Sequence, residues 1–175
     1  MIGFYDGLSH PVIGMDHFLA MISVGIISSQ IGGRAILIIP GIFVLMMIIG
    51  GCFGILIELI FFKLENYISF FIEFGIISSL ILLGIKITIE QKISTKVTAI
   101  FIGLFGVCHG MAHGIEMPWA SNPILFVLGF TTGTIILHLF GVIVGYYFVK
   151  TRFSSFLLRA SGFSFALYGL YLFIF

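Results

Sequence analysis

Long, continuously apolar segments alternate with short polar connections along the whole chain. Strands of a membrane barrel alternate apolar and polar residues, whereas these segments are apolar throughout, so they predict helices. A helix needs about 20 apolar residues to cross a bilayer. The pattern therefore predicts an all-α protein with six transmembrane helices in one bundle, at about 11–31, 36–60, 67–86, 97–115, 124–149 and 156–175.

Glycine, proline and charged residues mark the ends of these helices. The first helix is predicted to begin at Pro11, because proline is favoured in the first helical turn, and to end at Gly32 and Gly33. The longest polar connection lies between Lys86 and Lys96. The chain contains no recognisable linker, low-complexity tract or internal repeat, so residues 1–175 are predicted to form a single transmembrane domain.

The composition excludes a soluble protein. Hydrophobic residues make up 60% of the chain and charged residues only 9%, and the mean hydropathy is +1.26. Soluble domains are about half apolar and about one quarter charged. A net charge of +1 without a basic patch also excludes electrostatic binding of nucleic acid. The lipid bilayer is therefore the expected partner.

The basic residues predict an orientation. With six helices, three connections lie on one side of the membrane, and they contain all but one of the eight basic residues. Those residues are Arg34, Lys86, Lys92, Lys96, Lys150, Arg152 and Arg159, whereas the other side has Lys63. The positive-inside rule places the basic side in the cytoplasm, so both termini are expected outside. Only a few residues precede the first predicted helix, so no signal peptide is recognised there.

Two groups of polar residues interrupt the apolar helices, where such residues are costly and usually functional. In the first group, His10 and His17 are seven positions apart and are predicted to share one helix face, with Asp16 beside them. In the second group, His109 and His113 are spaced i, i+4. This spacing stacks the two imidazoles on one face, which Glu116 continues three residues later.

The predicted depths bring these residues to a common layer. With a rise of about 1.5 Å per residue, Asp16, His17 and Glu73 lie about 9 Å below the outer surface. His109 and His113 fall in the outer third of their helix, whereas His138 lies about 20 Å deep and is predicted to be an inner station. The predicted metal ligands are His10, Asp16, His17, Glu73, His109, His113, Glu116 and His138.

Imidazole and carboxylate donors suit borderline divalent metals such as nickel, cobalt, zinc and iron. A zincin needs the motif His-Glu-x-x-His, and this pattern fails because residue 110 is glycine. A zinc-dependent intramembrane hydrolase of the ceramidase type stays open, because three histidines and one aspartate suffice there. A bis-histidine haem protein would leave the carboxylates without a role. Cys52 and Cys108 lie in apolar segments and are expected to be inert thiols, although Cys108 directly precedes His109.

Residues 10–21, written His-Pro-x-x-Gly-x-Asp-His-x-x-Ala-Met, resemble the first signature of the HupE/UreJ family of nickel/cobalt transporters. Residues 109–116, His-Gly-Met-Ala-His-Gly-Ile-Glu, resemble the second signature. Residues 129–141 are similar to the pattern of the fifth helix in that family, and residues 30–34 to its first loop. The family usually has phenylalanine where this chain has Cys108.

The resemblance implies a transporter and not an enzyme. It implies secondary uptake of Ni²⁺, and sometimes of Co²⁺, across the bacterial inner (plasma) membrane by a multi-pass protein, whereas the donor types alone also allow Zn²⁺ as cargo. The resemblance further implies that the imported metal serves the maturation of hydrogenase or urease. The matched positions carry this functional expectation onto His10, Asp16, His17, His109, His113 and Glu116, and Glu73 corresponds to an acidic position in the third helix.

Overall fold

The computed structural model describes residues 2–60, 65–89, 93–118 and 121–175. Lys63 and Lys92, which contributed to the predicted orientation, lie outside these ranges. The described residues form seven helices: α1 (Ile2–Ile13), α2 (Met15–Ile31), α3 (Ala35–Ile60), α4 (Glu65–Ile89), α5 (Thr95–Ile115), α6 (Pro123–Phe148) and α7 (Arg152–Ile174). The predicted all-α class is confirmed. Five of the helices are long and apolar enough to cross a membrane, and α1 with α2 forms a sixth span if the bent pair is counted as one.

The predicted start of the first helix at Pro11 is wrong. Helix α1 begins nine residues earlier, passes through Pro11 and ends at Ile13, and the chain then bends by 81° before α2. A proline inside a helix removes one backbone hydrogen bond. Here the loss is offset because Gly7 brings α1 against the backbone of Phe126 in α6. His10 and His17 therefore lie on two different helices and not on one helix face.

The break between α1 and α2 falls at Gly14, which has an extended backbone conformation. A side chain at this position would start 3.1 Å from Asp16 Oδ1 and 3.1 Å from His17 Nδ1. Glycine thus leaves the first turn of α2 free to hold these two side chains together.

Helix α7 begins at Arg152, four residues before its predicted start near 156. The Thr151 side chain accepts a hydrogen bond from the backbone N–H of Ser154, and the Ser154 side chain interacts in return with the backbone N–H of Thr151. Such a capping box satisfies two backbone donors that a helix end otherwise leaves unpaired, and it starts the helix at this point.

Helices α3 and α5 run parallel and touch through glycines. Gly106 and Gly110 in α5 approach the backbone carbonyls of Phe43 and Met47 in α3. Small residues at this spacing let two helix backbones come close in a membrane. The contact fixes the register of α5, which carries His109, against α3.

Helix α6 is packed against α1 along its first half and against α2 along its second half. Gly129 and Gly133 approach the carbonyls of Phe4 and Leu8 in α1. Further along α6, Gly141 approaches the carbonyl of Ile22 in α2. The two short helices therefore follow one long helix in the same direction, as a single broken span would.

Helices α4 and α7 form an antiparallel pair that is tightly packed. A Cβ atom placed on Gly84 would lie only 2.6 Å from the carbonyl oxygen of Gly162. The closest backbone contacts thus define three packed units: α1/α2/α6, α3/α5 and α4/α7. The buried core is shared by helices α2 to α7, and α2 contributes the most residues to it. Large apolar side chains such as Leu37, Phe71 and Phe153 are exposed on the outside, where lipid would cover them.

The helix directions place most of the predicted metal ligands at one end of the bundle. The start of α6, the end of α5 and both chain ends lie at this end, which we call the histidine end. The connections that hold Arg34, Lys150 and Arg152 lie at the opposite end. The assignment of the histidine end to the outside of the cell stays a prediction from the charge pattern.

Candidate metal centre

A cavity of about 490 Å³ opens at the histidine end, and we call it the vestibule. Its walls come from α1, α2, α4, α5 and α7. Five of the eight predicted site residues line it, namely His10, Asp16, His17, Glu73 and Glu116. Ile13, Gly14, Ile76, Ile77, Tyr168 and Leu172 complete the lining. The structure therefore brings Glu73 of α4 to the same cavity as both histidine groups.

His10 and Glu116 meet at the mouth of the vestibule. The Nε2 atom of His10 lies 3.1 Å from Oε2 of Glu116, and the Glu116 side chain is 50% exposed. A ligand atom of His113 joins them, so that all three atoms lie within 4.8 Å of one another. This spacing suits a single metal ion bound by two imidazoles and one carboxylate.

Below the mouth, imidazole rings follow one another into the bundle. The ring centroid of His113 is 4.8 Å from that of His10 and 5.0 Å from that of His17. The His17 ring is 5.2 Å from the ring of His109. Four of the predicted ligands thus form a continuous file contributed by α1, α2 and α5.

The hydrogen bonds of two rings orient their free nitrogens. The Nδ1 atom of His109 lies 2.9 Å from the carbonyl oxygen of Phe105, to which it donates when it carries the proton. The Nδ1 atom of His17 lies 3.1 Å from Oδ1 of Asp16. In both rings the lone pair is then left on Nε2, and a carboxylate or carbonyl behind the ring is the usual support of a metal-binding histidine.

The buried nitrogens of these rings have no hydrogen-bond partner. They are Nε2 of His17, Nε2 of His109 and both ring nitrogens of His113. A buried polar atom left without a partner costs about 1–3 kcal/mol. Several such atoms in adjacent rings leave lone pairs or N–H groups available to a water or a metal ion.

His138 is not part of the vestibule lining and contacts the file through Phe43. The Phe43 ring centroid is 5.5 Å from that of His109 and 5.1 Å from that of His138. His138 is 2% exposed, and neither of its ring nitrogens has a partner. An aromatic ring thus contacts both the last imidazole of the file and the fifth imidazole.

Three polar or aromatic residues near the site had no place in the sequence prediction. Asp6 accepts a 2.9 Å hydrogen bond from Ser121, which ties the start of α1 to the start of α6. It was missed because α1 preceded the first predicted helix. Tyr168 and Phe43 were missed because an aromatic residue in an apolar helix gives no signal of what it contacts.

Cys108 packs away from the imidazoles, against α4. Its Sγ atom lies 2.9 Å from the position that a Cβ atom of Gly75 would occupy. The thiol therefore contributes to the α4–α5 contact.

A bundle of apolar helices that encloses a file of imidazoles with unpartnered buried nitrogens beside a carboxylate-lined cavity is a multi-pass membrane protein with a polar site in its interior. The chain belongs to the HupE/UreJ family, whose model, described as HupE / UreJ protein, matches residues 1–172. Protein HupE of Rhizobium leguminosarum bv. viciae is 40% identical over 140 residues, which cover 80% of this chain and 69% of that protein. No solved structure matches the chain.

Proposed function

We propose that the protein is a secondary transporter that takes up Ni²⁺, with Co²⁺ as a second cargo, across the bacterial plasma membrane. The observation that carries this proposal is the file of four imidazoles at the vestibule, in which the buried rings of His17, His109 and His113 have unpartnered nitrogens. The HupE/UreJ family is linked to nickel and cobalt uptake, which supports the same conclusion. By the same link, the imported metal would supply the maturation of hydrogenase or urease.

In this proposal the ion enters the vestibule from outside and is first bound by His10, His113 and Glu116. It then passes to Nε2 of His17 and His109, because these nitrogens lie next along the file. His138 receives it beyond Phe43, on the way to the cytoplasm. Each transfer exchanges one imidazole for a neighbour, so the ion keeps nitrogen ligands throughout.

The carboxylates have an electrostatic role in this path. A divalent ion without compensating charge is prohibitively costly in a low-dielectric environment. Asp16, Glu73 and Glu116 line the cavity above the imidazoles, and together they offset the charge of the entering ion. The mixture of imidazole and carboxylate donors suits nickel, cobalt and zinc, and it disfavours magnesium and calcium.

Flux measurements in liposomes test the proposal. Purified protein should transport Ni²⁺ more rapidly than protein-free liposomes do, and His113→Ala should lower the rate by at least about tenfold. The ring of His113 is fully buried and makes no hydrogen bond, so its removal leaves a cavity, and the thermal unfolding of the variant is therefore measured together with its flux. Ser164→Ala is the matched control, because this exposed hydroxyl bonds only to the Ala160 carbonyl of its own helix. Wild-type flux in His113→Ala would remove the proposed path.

A zinc-dependent hydrolase of the ceramidase type is the second candidate, and one observation favours it. Two histidines and one glutamate, here His10, His113 and Glu116, are also the ligand set of several catalytic zinc sites. Zinc-loaded protein should cleave a ceramide substrate if this reading is right, whereas the transporter proposal expects no cleavage together with nickel flux.

A further inference from the structure

The vestibule is much larger than a bare metal ion needs. Six water molecules occupy about 180 Å³ at about 30 Å³ each, whereas the cavity measures about 490 Å³. A divalent cation therefore fits into the vestibule with its complete first shell of six waters. Binding there does not require the ion to give up any of its waters.

The polar groups of the vestibule walls are arranged to accept hydrogen bonds. Asp16 of α2, Glu73 of α4 and Glu116, directly after α5, line the cavity together and offer carboxylate oxygens to it. Tyr168 of α7 adds a phenol to the same lining. The waters of a hydrated cation donate hydrogens outward, and hydrogen bonds to ionised acceptors are the stronger class.

The deepest polar group of the cavity points to a different kind of binding. His17 lines the vestibule but is only 9% exposed, and its buried Nε2 atom has no partner. An imidazole nitrogen binds a metal directly only after a water has left the ion. The open vestibule and the buried nitrogens of His17, His109 and His113 next to it therefore offer two environments, one for the waters of the ion and one for the metal itself.

We propose that the vestibule is a separate binding site for the intact hexahydrated cation, held through its waters by Asp16, Glu73, Glu116 and the hydroxyl of Tyr168. This inference rests on the proposed transport function and adds a stage to it. Contacts through water do not distinguish one divalent metal from another, so Mg²⁺, which keeps its waters tightly, should also occupy the vestibule. Selection for nickel then takes place at the imidazoles below.

Hexaamminecobalt(III) is the appropriate probe, because its six ammine ligands resemble the hydrated shell and do not exchange. Titration calorimetry on the purified full chain should show binding. Tyr168→Phe removes only the hydroxyl and should weaken binding about three- to tenfold, the effect of one hydrogen bond. Glu73→Gln should weaken it further. Tyr171→Phe is the control, because this exposed tyrosine of the same helix lies outside the vestibule lining and should bind like the wild type.

Nickel flux in liposomes separates the failure of this inference from failure of the proposed function. Hexaamminecobalt(III) should inhibit nickel flux competitively, and more weakly in Tyr168→Phe. Nickel flux without binding of the probe, or binding unaffected by both Tyr168→Phe and Glu73→Gln, would overturn the vestibule site. Absence of nickel flux with Tyr168-dependent binding of the probe would instead overturn the transport function and leave the site standing.

Discussion

The imidazole of His10 lies 3.1 Å from the carboxylate of Glu116, although 106 positions separate the two residues in the chain. His10 belongs to α1 and Glu116 follows the last residue of α5, so the contact joins two of the three packed units. The third member of the group, His113, lies one turn before Glu116 on the same side of the helix. The mouth of the site is therefore formed by a contact between units.

His10→Ala and Glu116→Gln should each lower the apparent affinity for nickel uptake by about tenfold or more, and the double variant should lose little further. The reason is that both residues are proposed to bind the same ion and also contact each other. Initial uptake rates measured over a range of nickel concentrations give the apparent affinities of the two single variants and of the double variant. Ser9→Ala, next to His10 and bonded to the Tyr5 carbonyl of its own helix, should behave like the wild type. If the loss of apparent affinity in the double variant equals the product of the losses in the two single variants, the two residues do not bind the same ion.

Asp16→Asn should reduce nickel uptake at least about tenfold while the protein stays in the membrane. The amide retains an oxygen that accepts the hydrogen bond of His17 Nδ1, but it removes the negative charge beside the ring. Asp6→Asn provides a matched control, because Asp6 bonds to Ser121 and is not part of the vestibule lining. Equal loss of uptake in both variants would indicate a general effect on the protein and not a role of Asp16 in the site.

Nickel uptake should fall as the external pH decreases, because the ligands of a metal must be deprotonated to bind it. A protonated imidazole has no lone pair for a metal, so protons compete with nickel for the imidazole ligands of the proposed path. Uptake should therefore fall at lower pH and recover at higher pH, because protonation removes ligands and deprotonation restores them. Uptake measured between pH 5 and 8 at a clamped membrane potential checks this expectation. A steep rise of uptake below about pH 6 would show that proton coupling dominates over competition for ligands.

Gly110→Ala should destabilise the protein by about 1–3 kcal/mol, the usual effect of forcing a methyl group into a tightly packed contact. The added carbon would collide with the carbonyl of Met47, which is backbone and has little freedom to move. Gly41→Ala is the control, since no atom lies within 4 Å of a Cβ at that position. Alanine is also the better helix former, so this control should be neutral or slightly stabilising. Thermal unfolding in detergent compares the two variants.

Gly75→Cys should form a disulfide bond with Cys108 on mild oxidation. A Cβ atom at position 75 lies 3.4 Å from Cβ of Cys108 and 2.9 Å from its Sγ, which is close to disulfide geometry. Thiol labelling after oxidation should then detect only Cys52. In the control Gly41→Cys, no atom lies within 4 Å of the added Cβ, so all three thiols should stay open to labelling after unfolding. Unchanged labelling of Gly75→Cys would show that α4 and α5 have a different register.

Features that depend on local helix geometry could be predicted from the sequence. The i, i+4 spacing of His109 and His113 places both rings on one face of α5 wherever that helix packs, and both are fully buried in the structure. Apolar length likewise predicted the long helices. The start of α1 could not be predicted, because the local preference of Pro11 for a first turn is overridden by the contact of Gly7 with α6.

Features that depend on which helices contact each other could not be predicted from the sequence. His138 was predicted to lie deep in the bundle, but no spacing in the chain indicates that Phe43 contacts both it and His109. The approach of Tyr168 to the carboxylates depends on the pairing of α7 with α4. The metal-binding role of the predicted ligands stays a prediction, to be tested by the flux and binding measurements.

Helices whose backbones touch through glycine cannot slide past each other without collision. His10, His17 and His138 belong to the unit of α1, α2 and α6, whereas His109, His113 and Glu116 belong to α3 and α5. In the proposed transport path the ion would thus be shared between two packed units, each of which would supply about half of its ligands. A displacement of one unit relative to the other by only about 1–2 Å, which is common for packed helices, would move all the ligands of that unit away from the ion together. Release then needs no unfolding of either unit.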